Sequence, residues 1–357
     1  MDINELCFFL QEYTLDNKNY KKWRVVPFYS SQVRRVLKDR RKTMKILDNS
    51  DKHLLSLIPG LVAEKTGRAP QDIKFIGGGS FGRVYKVRLS NGEIIAVKAY
   101  KLQGSQYEEA EQLSMLSANT SVKMPEVIFT YEDENTAILA MSFVEGKNVL
   151  EPQFLLRSKA QKESFAQEVI EGMLEWHSVT NSKFGSLSVP SYDSWKEYYI
   201  KEKQEPWMKG FAELSKKGKL SKNRLRLLMK ATELYNSLPE EKSQPVLIHA
   251  DLNIMNIMAD PDTLKLIAFI DPNGCMWADR EYDLYQFRNM WGDAYGLYAK
   301  YKQMHPLSQY ADFRVAYYGA MHEVSMRLKV GHVIPLWEDL NIRRLRKEMK
   351  KLQGNIG

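Results

Sequence analysis

The stretch His249-Ala250-Asp251-Leu252-Asn253-Ile254-Met255-Asn256, followed downstream by Phe269-Ile270-Asp271-Pro272, decides how this chain is read. Asp251 is a carboxylate spaced to orient a hydroxyl nucleophile. Asn256 and Asp271 offer an amide oxygen and a second carboxylate, ligands of the kind Mg²⁺ takes when it bridges ATP phosphates. The set reads as a phosphoryl-transfer centre. Two polar residues in a loop are often turn chemistry, which explains them singly but not the combination. Asp271 closes the apolar strand Lys265-Leu266-Ile267-Ala268-Phe269-Ile270, where a buried carboxylate is costly without a cation or an equivalent partner. His249 reads as a structural histidine that pins the loop, not as the base. Asp251 as general base need only hold the acceptor hydroxyl in line, because a loose transition state asks for little early deprotonation.

Working outward, Gly77-Gly78-Gly79-Ser80-Phe81-Gly82-Arg83-Val84 is glycine-rich. Glycines at 77, 79 and 82 permit a backbone turn against phosphates where a Cβ would obstruct, and Val84 can lie on an adenine. Gly77, Gly79, Ser80, Gly82 and Val84 are thus candidate nucleotide contacts. Alone the pattern is weak: an ordinary hairpin contains it, and so does a dinucleotide fingerprint. The latter needs a following helix, whereas Arg83 to Leu89 reads as a strand. Lys98 ends the apolar strand Glu93 to Val97. Viewed singly it is an exposed edge charge; one hairpin after a glycine loop it is placed to neutralise α- and β-phosphate oxygens, held by a helical glutamate. Glu108, Glu109 and Glu111 are the candidates for that glutamate. Glu111 is favoured, because Leu113, Met115 and Leu116 then form the inner face one turn on, although Glu108 shares its side.

The 357 residues exceed one typical domain, and 44% hydrophobic with 27% charged residues is an ordinary soluble balance. The longest apolar runs are far shorter than the roughly 20 residues of a membrane helix. The acidic start Met1-Asp2-Ile3-Asn4-Glu5 is unlike a secretory signal, and Cys7 and Cys275 build no disulfide framework, so a cytoplasmic protein is expected. The net charge of +8 gathers in Lys18–Lys45, Lys196–Lys230 and Arg343–Lys351, away from the motifs. Solvated helix faces are its ordinary meaning; nucleic acid is disfavoured as a partner, and oligomeric state is left open. A basic, helical N-terminal extension is expected over 1–53, although Leu54 to Val62 continues a helical pattern begun at Asp51 and capped by Asn49 or Ser50. Strands joined by hairpins, among them the turn Ser90-Asn91-Gly92, alternate with one helix at Tyr107–Ser117, giving a nucleotide-binding sheet over 54–145. Helices then dominate 146–342, at Lys159–Ser178, Tyr192–Ala212, Ser221–Leu238, Tyr282–Met304 and Tyr310–Lys329, with a basic tail over 343–357. The class is α+β. Asp279 is the cap candidate of the Tyr282 helix, and Arg280 and Asp283 receive structural roles.

Together, Gly77 to Val84, Lys98, His249-x-Asp251-x₄-Asn256 and Ile270-Asp271-Pro272 resemble the aminoglycoside phosphotransferase, choline kinase and fructosamine kinase superfamily. The run Asp271 to Leu284 is most similar to its fructosamine kinase and aminoglycoside phosphotransferase branch, and the likeness spans roughly residues 54 to 330. The resemblance implies a protein-kinase-like bilobal fold, with an antiparallel five-stranded sheet and one helix in the first lobe and a mainly helical second. It implies Mg²⁺ with ATP, GTP being the alternative, and a small-molecule hydroxyl acceptor of aminoglycoside, ketoamine or sugar type. It also places the interlobe hinge at Met141 to Gly146, with the backbone of Ser142 and Val144 on adenine. Asp193, Glu197, Asp293 and Glu323 are candidate contacts for a cationic acceptor. Trp195, Tyr198, Tyr199, Trp277, Trp291, Tyr295 and Tyr298 could stack on sugar rings, but at helical spacing core packing is the commoner meaning. A protein Ser/Thr kinase is the nearest competitor, opposed by Asn253 where such kinases carry lysine, by Pro272 in place of Phe-Gly, and by the absence of an Ala-Pro-Glu segment. A non-catalytic nucleotide-binding scaffold is the other alternative.

Overall fold

A computed structural model describes residues 47, 50–78, 82–240, 242–289, 291–331 and 333–356. Almost all of the expected extension over 1–53, and both Gly79 and Ser80, lie outside the described residues. Helix α1 (Asp51–Thr66) starts at Ser50, whose hydroxyl accepts the His53 N–H, and stops at Gly67, whose φ of 69° suits a residue without Cβ. Strands β1 (Pro70–Gly78), β2 (Gly82–Leu89) and β3 (Ile94–Tyr100) follow, then helix α2 (Ser105–Ser117), β4 (Val127–Glu132) and β5 (Ala137–Ser142). They form one antiparallel five-stranded sheet in the order β1-β2-β3-β5-β4.

Strand alternation gives the sheet two apolar faces. Tyr85, Val87, Ile95, Val97, Ala99, Ile138 and Ala140 meet Leu54, Ile58, Leu61 and Val62 of α1, which recur at helical spacing. The intervening residues Ala96, Tyr100, Leu139 and Met141 join Leu113 and Leu116 of α2 in the larger core. Lys98 belongs to that second register, with Val84 directly across on β2.

Beyond β6 (Lys147–Asn148) and the short α3 (Pro152–Leu155), the chain is mainly helical. Helix α4 (Lys159–Ser178) opens with a reciprocal capping box between Ser158 and Gln161 and buries Phe165, Val169, Ile170, Met173 and Trp176. Gly172 lets it approach β11 (Leu266–Phe269): a Cβ there would meet the Phe269 ring at 2.9 Å. Strands β7 (Phe184–Ser186) and β8 (Pro190–Tyr192) lead into α5 (Trp195–Tyr199), a π-helical turn at Ile200–Gln204, α6 (Glu205–Lys216) and α7 (Lys222–Ser237). The helix expected from Tyr192 thus begins only at Trp195, because Tyr192 pairs with Phe184 in a hairpin. Strands β9 (Val246–Ile248) and β12 (Met276–Ala278) extend that hairpin to four strands, while β10 (Ile257–Ala259) pairs with β11 and β6.

Two helical expectations need correction. The continuous helix expected over Tyr282–Met304 is broken into α8 (Arg280–Asp283), 3₁₀ turns at Leu284–Arg288 and Gly292–Tyr295, and α9 (Leu297–Met304). Trp291 and Gly296 take left-handed φ of 70° and 67°, and a Cβ on Gly292 would fall 2.1 Å from the Phe287 carbonyl. The tail expected from 343 instead continues α11 (Pro335–Ile356), which packs along α10 (Ala311–Lys329) and buries Ile342, Leu345 and Met349. Among the described residues no helix is long and apolar enough to cross a membrane.

Candidate active site

The residues His249 to Asn256 sit between β9 and β10, and Asp271 sits just after β11, so one small β-hairpin sets their separation. The Ile270 N–H donates to the Asn256 carbonyl at 3.0 Å, which fixes Asn256 beside Asp271. Ala250 and Asp271 both take left-handed backbone, with φ of 65° and 56°. Such conformations cost non-glycine residues about 1–3 kcal/mol and persist only where surrounding bonds over-determine them. Asp283 supplies part of that restraint. Its fully buried carboxylate accepts the His249 and Ala250 N–H groups at 3.1 and 2.8 Å and faces His177 Nε2 at 3.4 Å. Burial holds His177 below its ordinary pKa.

Asp251 Oδ1 accepts from Gln286 Nε2 at 2.7 Å and from Asn253 Nδ2 at 3.0 Å. Burial first, and the Asp271 charge second, push its pKa up to about 8. Asn253 also closes the loop, taking the Met255 N–H at 2.9 Å. Asn256 Nδ2 donates to the Asp251 carbonyl at 2.7 Å, which leaves its Oδ1 accepting nothing among the described residues. The His249 Nδ1 accepts the Asp251 N–H at 3.3 Å, and burial depresses its pKa to about 4, a neutral ring in a structural place.

Lys98 Nζ bridges Glu109 Oε2 and Asp271 Oδ1, each at 2.5 Å. Burial lowers its pKa, but Asp271 and Glu109 outweigh that and raise it on balance. Glu111, favoured from the sequence, is corrected here. Gln106, Glu109, Leu113 and Leu116 form the buried face of α2, and Glu111 stands two residues round the helix from Glu109, exposed. Tyr100 adds a hydroxyl to Glu109 Oε2 at 2.7 Å, and Gln112 Oε1 accepts the Gly274 N–H at 3.0 Å, so α2 grips the Asp271 loop twice. In the glycine hairpin, a Cβ on Gly82 would meet the Ala99 carbonyl at 2.4 Å, whereas one on Gly77 meets nothing. Gly82 therefore serves sheet closure, and the space beside Gly77 is open. At the hinge the Ser142 N–H is already given to the Glu126 carbonyl at 2.8 Å, so only its carbonyl could reach a base; Val144 lies beyond the end of β5.

A family model described as the phosphotransferase enzyme family matches residues 72–324, from β1 into α10. The chain belongs to this family. An Escherichia coli protein designated YcbJ is 22% identical over 242 residues, 66% of this chain and 80% of its own length. A protein of Thermobifida fusca assigned as a fructosamine-3-kinase superposes with a TM-score of 0.60 at 20% identity, covering 82% of this chain and 99% of its own. The aminoglycoside phosphotransferase APH(4)-Ia, solved with AMP-PNP and hygromycin B, superposes at 0.61 and 16% identity, covering 82% and 97%. These likenesses show a shared fold. As a member of the phosphotransferase enzyme family, the chain matches the resemblance carried by its motifs.

The candidate site also contains residues that the sequence did not single out. Gln286 Oε1 accepts from Asn289, whose Oδ1 accepts Asn341 Nδ2 at 2.7 Å, a buried amide relay from Asp251 to α11. No motif marks these amides. Arg280 contacts His305, and Asp279 caps α8 through the Glu281 N–H at 2.8 Å, as structural roles require. Of the acids proposed for a cationic acceptor, three are engaged, Asp193 with Lys183, Glu197 with Lys201, and Asp293 with Arg288 and Arg344, while Glu323 is buried. Trp195, Tyr198 and Tyr199 stack within the helical core, and the Trp277 indole N–H donates to the Leu187 carbonyl. For a metal, the free Asn256 Oδ1 and the Asp271 carboxylate form a two-oxygen set, and no cluster of three or more His, Cys, Asp or Glu exists among the described residues. This set fits Mg²⁺, which keeps waters and shares phosphate oxygens.

Proposed function

We propose that the protein transfers the γ-phosphoryl group of ATP, with GTP as the alternative donor, to a hydroxyl of a small polar acceptor of ketoamine or sugar type. The observation that carries this reading is the placing of Asp251. Its carboxylate is oriented by Gln286 and Asn253, while Asn256 and the Lys98-Glu109-Asp271 bridge lie beside it. Asp251 aligns the acceptor hydroxyl and takes up its proton as the new P–O bond forms; ADP leaves with the bridging oxygen. Lys98 holds the inner phosphates, the Gly77–Gly82 hairpin covers them, and the hinge carbonyl of Ser142 with the Val144 backbone meets the base. Asn256 and Asp271 would hold Mg²⁺, which supplies charge neutralisation on the phosphates when bound. An aminoglycoside acceptor is less well supported, because Asp193, Glu197 and Asp293 each already hold a cation.

An ATP-depletion screen with Mg²⁺ over ketoamines, sugars, aminoglycosides, choline-like alcohols and a generic protein tests the reading. Turnover with a small hydroxyl compound that disappears in Asp251→Asn supports it. Phosphorylation of protein alone overturns it.

A further inference from the structure

Two lysines on the Asp251 side of the helical lobe form no direct bond to an acid among the described residues, although the charges of Asp251 and Glu323 reach Lys329 and that of Glu202 reaches Lys203. Lys203 lies in the π-helical turn Ile200–Gln204, an insertion that elsewhere often marks functional sites, and Lys329 is the last residue of α10. The two segments are packed together: Tyr317 of α10 donates to Gln204 at 3.0 Å, a Cβ on Gly210 of α6 would meet the Leu328 side chain at 2.5 Å, and Lys329 Nζ sits 5.8 Å from the Trp207 ring centre. Both lysines are partly buried, and neither makes a hydrogen bond or ion pair to an acid among the described residues. Their charges act on each other and on His322, and the charge of Lys329 acts on Asp251 itself. His322 connects by a second route, Nδ1 to Tyr285 hydroxyl at 2.9 Å, and from there to Gln286 and Asp251.

The acids that face this cluster, Glu202, Asp251 and Glu323, act on the lysines through space without bonding them. Glu202 accepts the Tyr192 hydroxyl, and Asp251 is taken by Gln286 and Asn253. Glu323 is buried against Glu338, which Arg224 and Arg327 hold. Burial and the charge of Lys329 bring the Lys203 pKa down to about 8, and burial lowers that of Lys329. Two neighbouring, poorly hydrated ammonium groups raise the energy of the ligand-free protein, and an anion between them removes that cost.

We infer that Lys203 and Lys329 form the acceptor's anion subsite, so that the hydroxyl substrate carries a carboxylate or a phosphate directed away from Asp251. This rests on the kinase reading above and narrows it. The acceptor's anion anchors on the π turn and the end of α10, and its hydroxyl reaches Asp251 for in-line attack on the γ-phosphorus. The γ-phosphorus bond to the bridging oxygen breaks, ADP departs, and the hydroxyl proton passes to Asp251.

The test compares the intact protein with Lys203→Met, Lys329→Met and the double variant under Mg·ATP. The acceptor arms are gluconate and a fructosyl amino acid for carboxylates, fructose 6-phosphate for phosphates, sorbitol as neutral and kanamycin as cationic. The expected result is turnover confined to an anionic arm, the productive arm telling carboxylate from phosphate. Each lysine removed should then raise the acceptor KM about ten- to a hundredfold, as loss of a charged hydrogen bond does, with the KM for Mg·ATP unmoved. Turnover of sorbitol or kanamycin with KM unaffected by the double variant overturns the inference and leaves the kinase reading standing. Intact Mg·ADP binding with no arm phosphorylated overturns the kinase reading, and this inference with it. A double variant that melts as the intact protein does excludes misfolding as the cause of a lost arm.

Discussion

Replacing Glu109 by alanine tests how the nucleotide-binding half of the site is held. Lys98 and Glu109 are nearly buried, their side chains 11% and 9% exposed, whereas Asp271, the other partner of Lys98, is 47% exposed. Breaking a buried pair on one side costs about 3–5 kcal/mol, because the remaining charge is stranded. The half-exposed Asp271 can return roughly 1 kcal/mol of that through its solvent-screened contact. About 2–4 kcal/mol should therefore be lost from the nucleotide complex, roughly a 30- to several-hundredfold weakening. A second effect has the same sign. Without Glu109, Lys98 keeps Asp271 as its one ion-pair partner among the described residues and competes for the carboxylate assigned to Mg²⁺. Calorimetric titration of Mg·ADP into Glu109→Ala and Glu111→Ala separates the two glutamates, with thermal melts confirming that both variants are folded. Glu111→Ala should bind as the intact protein does. Normal binding by Glu109→Ala together with weakened binding by Glu111→Ala would refute the reasoning.

Four further outcomes are expected. Asp251→Asn should lose about 10²–10⁴-fold in turnover, read by ADP release, while Mg·ADP affinity stays near that of the intact protein. Gln286→Leu leaves Asn289 without its acceptor and Asp251 without its strongest donor; urea unfolding should show a loss of about 1–3 kcal/mol, with turnover reduced even when the protein is folded. Asp283→Ala removes the acceptor for two buried N–H groups and releases the left-handed Ala250, so stability should fall by about 3 kcal/mol or more in the same measurement. Burial, and Glu338 behind it, raise the Glu323 pKa from 4.5 to about 7, against the pull of Lys329. Between those values the folded state holds a proton that the unfolded state has released, so stability falls as pH rises through the window. Glu323→Gln should flatten that slope and gain up to about 3 kcal/mol at pH 8, as chemical denaturation at pH 4.5, 6 and 8 will show.

Local patterning carried the sheet. The alternation from Ile73 to Tyr100 and the Asn91-Gly92 turn give strands whose two faces are both apolar, and the observed registers follow from that pattern. The catalytic loop was equally legible, since Asp251, Asn256 and Asp271 are brought together by a single hairpin. Glu109 was not, because α2 carries three acids within one turn and only tertiary packing says which side of the helix faces β3. The Tyr282–Met304 region misleads for a different reason: its aromatics have helical spacing, yet left-handed breaks at Trp291 and Gly296, and the close approach that Gly292 permits, are not recorded by such spacing. The basic run beginning at Arg343 has the composition of a solvated tail but holds Leu345 and Met349 one turn apart, and α10 supplies the surface that orders it.

The ligand-free site concentrates like charges in two places. Asp271 pushes on Asp251, and Lys329 pushes on Lys203. Each repulsion has a remedy of opposite sign: a cation on the carboxylates, an anion on the lysines. The protein restrains the strained loop meanwhile through two N–H groups on the buried Asp283 carboxylate and the amide relay from Gln286 to Asn341. Such an arrangement couples the two ligand classes through Asp251. Lys329 lowers the Asp251 pKa and Asp271 raises it, so an acceptor anion that neutralises Lys329 makes Asp251 a stronger base but a more readily protonated one, whereas a cation that screens Asp271 favours its charged form. A cation on Asn256 and Asp271 would therefore be the ligand that keeps the carboxylate ionised while the hydroxyl is aligned.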